Sequence, residues 1–124
     1  MSFQETGQQF VAAYFNALTT DRSQLGNFYT AESMLTYEGE QFLGIDAIGG
    51  KIGGLPALTF DSQSAVMDFQ PSISNGIFVL VSGVLYIDGN REQPLNFTQT
   101  FMLAVGGTQG YFINNEIFRL NLAG

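Results

Sequence analysis

The sequence predicts an α+β cone, with three helices first, then a curved antiparallel sheet of long strands, the two layers enclosing a hydrophobic cavity. Three observations predict it. Apolar residues at Phe3, Phe10, Val11, Tyr14, Phe15 and Leu18 recur at helical spacing. From Thr59 onward the pattern changes to four long, largely apolar segments divided by turn residues. Finally, 45% hydrophobic and only 12% charged residues in 124 give enough apolar mass for one core and too little for two, so a single domain over residues 1–124 is expected.

Taken in order, Ser2 and Glu5 supply a capping box for the first helix. Thr20-Asp21 followed by Gln24 offers a second cap, and Gly26 a stop, for a short helix over Asp21 to Leu25. Met34-Leu35-Thr36-Tyr37 and Gln41-Phe42-Leu43 flank Glu38-Gly39-Glu40 as a hairpin. Ile45, Ile48, Ile52 and Leu55 return to helical spacing until Pro56. This third helix carries Gly49, Gly50, Gly53 and Gly54, each costing about 1 kcal/mol against alanine, so packing must hold it. The strands read as Thr59–Phe69, Ile77–Ile87, Leu95–Val105 and Tyr111–Leu120. Along the third, Phe97, Gln99, Phe101, Leu103 and Val105 share one face and Thr98, Thr100, Met102 and Ala104 the other. With two fairly apolar faces, the sheet needs a cover besides the helices, which points to a subunit interface.

Composition narrows function as well. Four basic residues against eleven carboxylates give −7, the wrong sign for neutralising nucleic-acid phosphates or an anionic membrane, so a basic partner is favoured. Without cysteine or histidine, thiolate nucleophiles, the commonest general base and the usual zinc ligands are missing. No signal-peptide pattern opens the chain, and no apolar run reaches a membrane span. Asp88-Gly89-Asn90 starts like a calcium loop, but Gln93 and Gln99 stand where that loop needs glycine and glutamate, so no dedicated calcium site is expected.

Several segments together resemble the nuclear transport factor 2 family, import carriers of the small GTPase Ran. They are Asp21-Arg22-Ser23-Gln24-Leu25-Gly26-Asn27-Phe28-Tyr29, Leu35 to Gly44, Leu55-Pro56, Gln70-Pro71 and Ile117-Phe118-Arg119-Leu120. The resemblance runs from Phe3 to about Leu122. It implies a homodimer packed through its sheets, with no cofactor, binding Ran in its GDP form on one face and FxFG repeats of nuclear-pore proteins on another. It also implies residence in cytoplasm and nucleus and at the nuclear envelope.

By the same resemblance the Ran site comprises Tyr37, Glu38, Gln41, Leu55, Phe60, Leu85, Asp88, Asn90, Leu95, Ile117 and Phe118. Glu38 would pair with a lysine of Ran while a Ran phenylalanine enters the cavity. Tyr37 stands where the family often has tryptophan, and Asp88 keeps the charge of a second acidic patch that Asn90 does not. Phe3 takes the place of a tryptophan that holds FxFG phenylalanines.

Two other readings share the fold. One is a small-molecule isomerase or dehydratase, with Glu38 or Glu116 as base and Tyr14, Tyr29, Tyr37 or Tyr111 as hydrogen-bond donor. No buried acid is evident in the sequence, and a glutamate at the rim stays hydrated, so no enzyme is expected. The other is a dimerisation and FG-binding module of an mRNA-export type protein. An initial Met1 and a chain ending just after Leu122 favour a free-standing carrier over that module.

Overall fold

The computed structural model describes residues 2–121. Helix α1 (Phe3–Thr20) is capped by the Ser2 hydroxyl, which accepts from the Glu5 backbone N–H at 3.1 Å. Its apolar stripe buries Phe10, Val11, Tyr14, Phe15 and Ala17. Gly7 is what lets the helix lie close on the sheet, since a Cβ there would stand 2.6 Å from the Phe69 ring. The second helix is a 3-10 helix over Arg22–Phe28, capped by Asp21, and it runs through Gly26 instead of stopping there. Buried Leu25 and Phe28 on both sides of that glycine hold it against the core.

Strands β1 (Met34–Tyr37) and β2 (Glu40–Leu43) form the expected hairpin. Glu38 and Gly39 at φ 51° and 87° make its two-residue turn, a pair of left-handed positions whose twist matches that of the strands. Helix α2 (Ile45–Gly53) buries Ile48 and Ile52. The expected strand Thr59–Phe69 is two strands, β3 (Leu58–Phe60) and β4 (Val66–Pro71). Asp61 breaks it: its carboxylate accepts from the backbone N–H of Gln63 at 3.1 Å and of Ser64 at 3.4 Å, closing an Asx turn. Then come β5 (Ile77–Ile87), β6 (Leu95–Val105) and β7 (Tyr111–Leu120).

The sheet order is β2-β1-β7-β6-β5-β3, with β4 also paired to β5. One pair departs from the expected all-antiparallel sheet, because β1 runs parallel to β7. Most of the chain lies between those two strands, so no tight turn dictates their direction. A second departure is a bulge in β7, where Met102 faces Asn115 but Leu103 faces Ile113, leaving Asn114 as the extra residue. Beyond it the side-chain alternation is reversed: Ile113, Glu116 and Phe118 are buried, while Asn115 and Ile117 are exposed. The helices cover the inner face of the sheet. On the outer face, Val66, Phe78, Leu80 and Ile117 are exposed, at 63%, 42%, 38% and 49%.

Candidate functional site

A small apolar cavity of ≈ 30 Å³ opens between the helices and the inner face of the sheet. Its walls come from α1 (Phe15, Leu18), the end of α2 and the loop beyond it (Ile52, Leu55), β3 (Leu58), β5 (Leu85), β1 (Leu35, Tyr37) and β7 (Phe118). At the lip, Tyr37 stacks on Phe118 with ring centroids 4.8 Å apart, and Phe118 on Phe97 at 5.6 Å. Parallel pairing of β1 with β7 sets Tyr37 opposite Phe118 and so creates this stack. The Lys51 ammonium lies 5.0 Å from the Tyr37 ring centroid and 3.6 Å from the Glu40 carboxylate.

Beside the lip the exposed Glu38 is fixed to β7 by its backbone N–H, which donates to Phe118 O at 3.0 Å. Its carboxylate accepts from the Leu120 N–H. The β5–β6 turn lies at the same end of the sheet, since Leu85 pairs with Leu95 and Phe97 with Leu120. There Asp88, at φ 52°, donates its N–H to Ala57 O at 2.8 Å, which ties the turn to the segment after α2. Asp88 and Asn90 are both exposed.

The floor of the cavity is polar. Glu116, 2% exposed, accepts from the Tyr14 hydroxyl at 2.9 Å, from the Tyr29 hydroxyl and from Gln99 Nε2. A buried acid is therefore present, contrary to the reading of the sequence, and the Asn114 bulge is what turns it inward. Burial pushes its carboxyl above the ordinary value of 4.5, against the opposing pull of those three hydrogen bonds. The Tyr14 and Tyr29 hydroxyls are pushed well up, first by burial and then by the neighbouring carboxylate. Of the tyrosines weighed as donors, these two reach Glu116. With both oxygens engaged by protein donors, the carboxylate ties α1, the loop after the 3-10 helix, β6 and β7 together.

A raised native pKa stabilises the fold only while the acid is protonated. Its contribution is fully present below 4.5 and is lost as pH rises through the higher native value. Unfolding measured across that range is expected to show wild type losing stability relative to Glu116→Gln, which carries no titrating proton. Parallel pH profiles for the two proteins would contradict this.

Among the residues expected at the Ran site, Tyr37, Leu55, Leu85 and Phe118 line the cavity. Phe60 does not: it stacks on Phe15 at 4.1 Å and faces a separate groove with Met67 and Thr19. Leu95 packs against the core outside the cavity. Ile117 lies on the outer face, because the bulge reverses the register that would have carried it inward. Gln41 is exposed on β2. The sequence reading missed Phe15, Leu18, Leu35, Ile52, Leu58 and Gln99 as lining; helical spacing already set Phe15 and Leu18 on one face and could have found them.

The profile of the nuclear transport factor 2 (NTF2) domain matches residues 6–120. The chain belongs to the nuclear transport factor 2 family. Nuclear transport factor 2 of Candida glabrata is 41% identical over 122 residues, covering 98% of this chain and 96% of the relative. That of Saccharomyces cerevisiae is 40% identical over the same shares of both chains. The structure of nuclear transport factor 2 from Cryptosporidium parvum superposes with a TM-score of 0.86 at 40% identity, covering 96% of this chain and 94% of that one. The Mtr2-Mex67 M domain complex of C. albicans, at TM-score 0.81 but 14% identity, shares the fold alone. As a nuclear transport factor 2 family member, the chain is a nuclear transport carrier and not an enzyme.

Proposed function

We propose that this chain is a one-domain homodimer that carries Ran in its GDP form from cytoplasm to nucleus through the nuclear pore, docking on FxFG repeats during transit. The observation that carries the reading is the cavity lip, where an aromatic wall of Tyr37 and Phe118 adjoins the exposed acid Glu38. An apolar cavity beside a carboxylate suits a partner offering one aromatic ring and one cation on neighbouring residues. The strongly acidic chain, at −7, favours such a basic partner over distance as well. Titration of Ran·GDP into the protein tests this: saturable binding is expected, and absence of heat and of co-migration would refute it.

For the pore, the reading uses Phe3, 39% exposed in the first turn of α1. It borders a groove of ≈ 450 Å³ shared with Thr6, Pro71, Asn75, Val105 and Tyr111. One ring burying part of its surface at about 25 cal/mol per Å² gives weak, rapidly exchanging contacts, suited to passage along many repeats. Phe3→Ala is expected to weaken an FxFG peptide roughly tenfold by the same area estimate while leaving Ran·GDP binding intact. Equal loss of both would discredit the site.

A further inference from the structure

We propose that Arg22 positions the movable wall of the cavity, and that it does so by gathering backbone carbonyls. From the 3-10 helix its Nε donates to Leu18 O in the last turn of α1 at 3.1 Å. Its Nη1 donates to Ile52 O at 3.1 Å and to Leu55 O at 2.6 Å, and its Nη2 to Pro56 O. Three of the four acceptors thus belong to the end of α2 and the loop beyond it; Ile52 O also accepts the Leu55 N–H at 3.1 Å, and Arg22 adds donors where the helix runs out of its own. The positive charge also sits at the end of α2 that the helix dipole makes negative. Only a guanidinium offers enough donors in a fixed fork to hold two segments this way.

Helix α2 needs such a clamp. Gly49, Gly50 and Gly53 have nothing within 4 Å of where a Cβ would stand, so this helix has weak propensity and buries little beyond Ile48 and Ile52. The same stretch supplies Ile52 and Leu55 to the cavity. At ≈ 30 Å³ the resting cavity holds about two waters, whereas a cavity that takes benzene is about 150 Å³. An aromatic ring from a partner therefore enters only if a wall moves. Arg22, joined to α1 on one side and to Ile52, Leu55 and Pro56 on the other, makes that wall move as one piece instead of unravelling. This last step rests on the proposed insertion of a Ran side chain.

The test is amide hydrogen exchange on wild type, Arg22→Lys, Arg22→Ala, and Arg22→Ala combined with Gly49→Ala and Gly50→Ala, each also titrated with Ran·GDP. In Arg22→Ala, exchange over residues 48–57 is expected to rise about tenfold with β5–β7 unchanged, and Ran·GDP affinity to fall about tenfold; Arg22→Lys lies between. The two alanines, each favouring the local helix about fivefold, are expected to restore both readouts. Unchanged exchange over 48–57, raised exchange with unaltered affinity, or no rescue by the alanines would each overturn the proposal. If Arg22→Ala does not fold, Arg22→Lys carries the same comparison. If wild type does not bind Ran·GDP, the proposed function falls, while the exchange data still judge the clamp.

Discussion

Glu38→Lys is expected to abolish binding of Ran·GDP while leaving dimerisation and FxFG binding unchanged. The carboxylate stands beside the aromatic lip, oriented by the Leu120 N–H and by a turn bonded to β7. Removing one member of a desolvated ion pair across an interface costs about 2–5 kcal/mol, and reversing its charge adds like-charge repulsion. The folded protein loses little, because Glu38 is exposed and water can accept from the freed Leu120 N–H. Glu38→Gln keeps shape and acceptor but not charge, and is expected to fall between wild type and Glu38→Lys. Wild-type affinity in Glu38→Lys would remove Glu38 from the site.

Leu80→Arg is expected to convert the proposed homodimer to a monomer at micromolar concentration. Leu80, the fourth of the eleven residues of β5, lies on the outer face opposite Thr100 on β6 and Asp68 on β4. Phe78, Ile117 and Val66 share that face, and together they form an apolar surface that solvent does not favour. A two-fold axis through such a patch would bring each Leu80 close to its copy, so the substitution buries two charges at once. Sedimentation is the check. A wild type that already sediments at 13.5 kDa, or a Leu80→Arg protein that remains dimeric, would contradict this use of the face.

Much of this arrangement is written in local sequence. Ser2 and Glu5 mark the start of α1, Glu38-Gly39 marks the hairpin turn, and the apolar rhythm of β6 separates its two faces because side chains in a strand alternate strictly. What was hidden depends on a single residue or on distant pairing. Nothing in Asn114-Asn115 announces a bulge, yet that one extra residue sends Glu116 to the cavity floor and Ile117 to the outer face. The stack of Tyr37 on Phe118 exists because β1 joins β7 in parallel across 81 positions of sequence, beyond the reach of any periodicity. Arg22 bonds to backbone carbonyls 30 to 34 residues away, and carbonyls carry no side-chain identity by which a sequence could reveal them. The break at Asp61 was legible, since an aspartate followed by small polar residues is a turn signal, but the apolar residues around it outweighed it.

In the proposed function, the lip and cavity recognise Ran in its GDP form. The partner's aromatic and cationic residues would belong to a segment that shifts when the γ-phosphate is present, withdrawing both contacts together. Its most direct test is calorimetric titration of wild-type protein with Ran·GDP and with Ran bound to a non-hydrolysable GTP analogue, in one buffer at one salt concentration. Saturable binding of the GDP form with the GTP form weaker by at least about a hundredfold, the roughly 3 kcal/mol expected from loss of the ion pair before the aromatic contact is added, is the predicted result. Equal affinity for both forms, or affinity for neither, would contradict it.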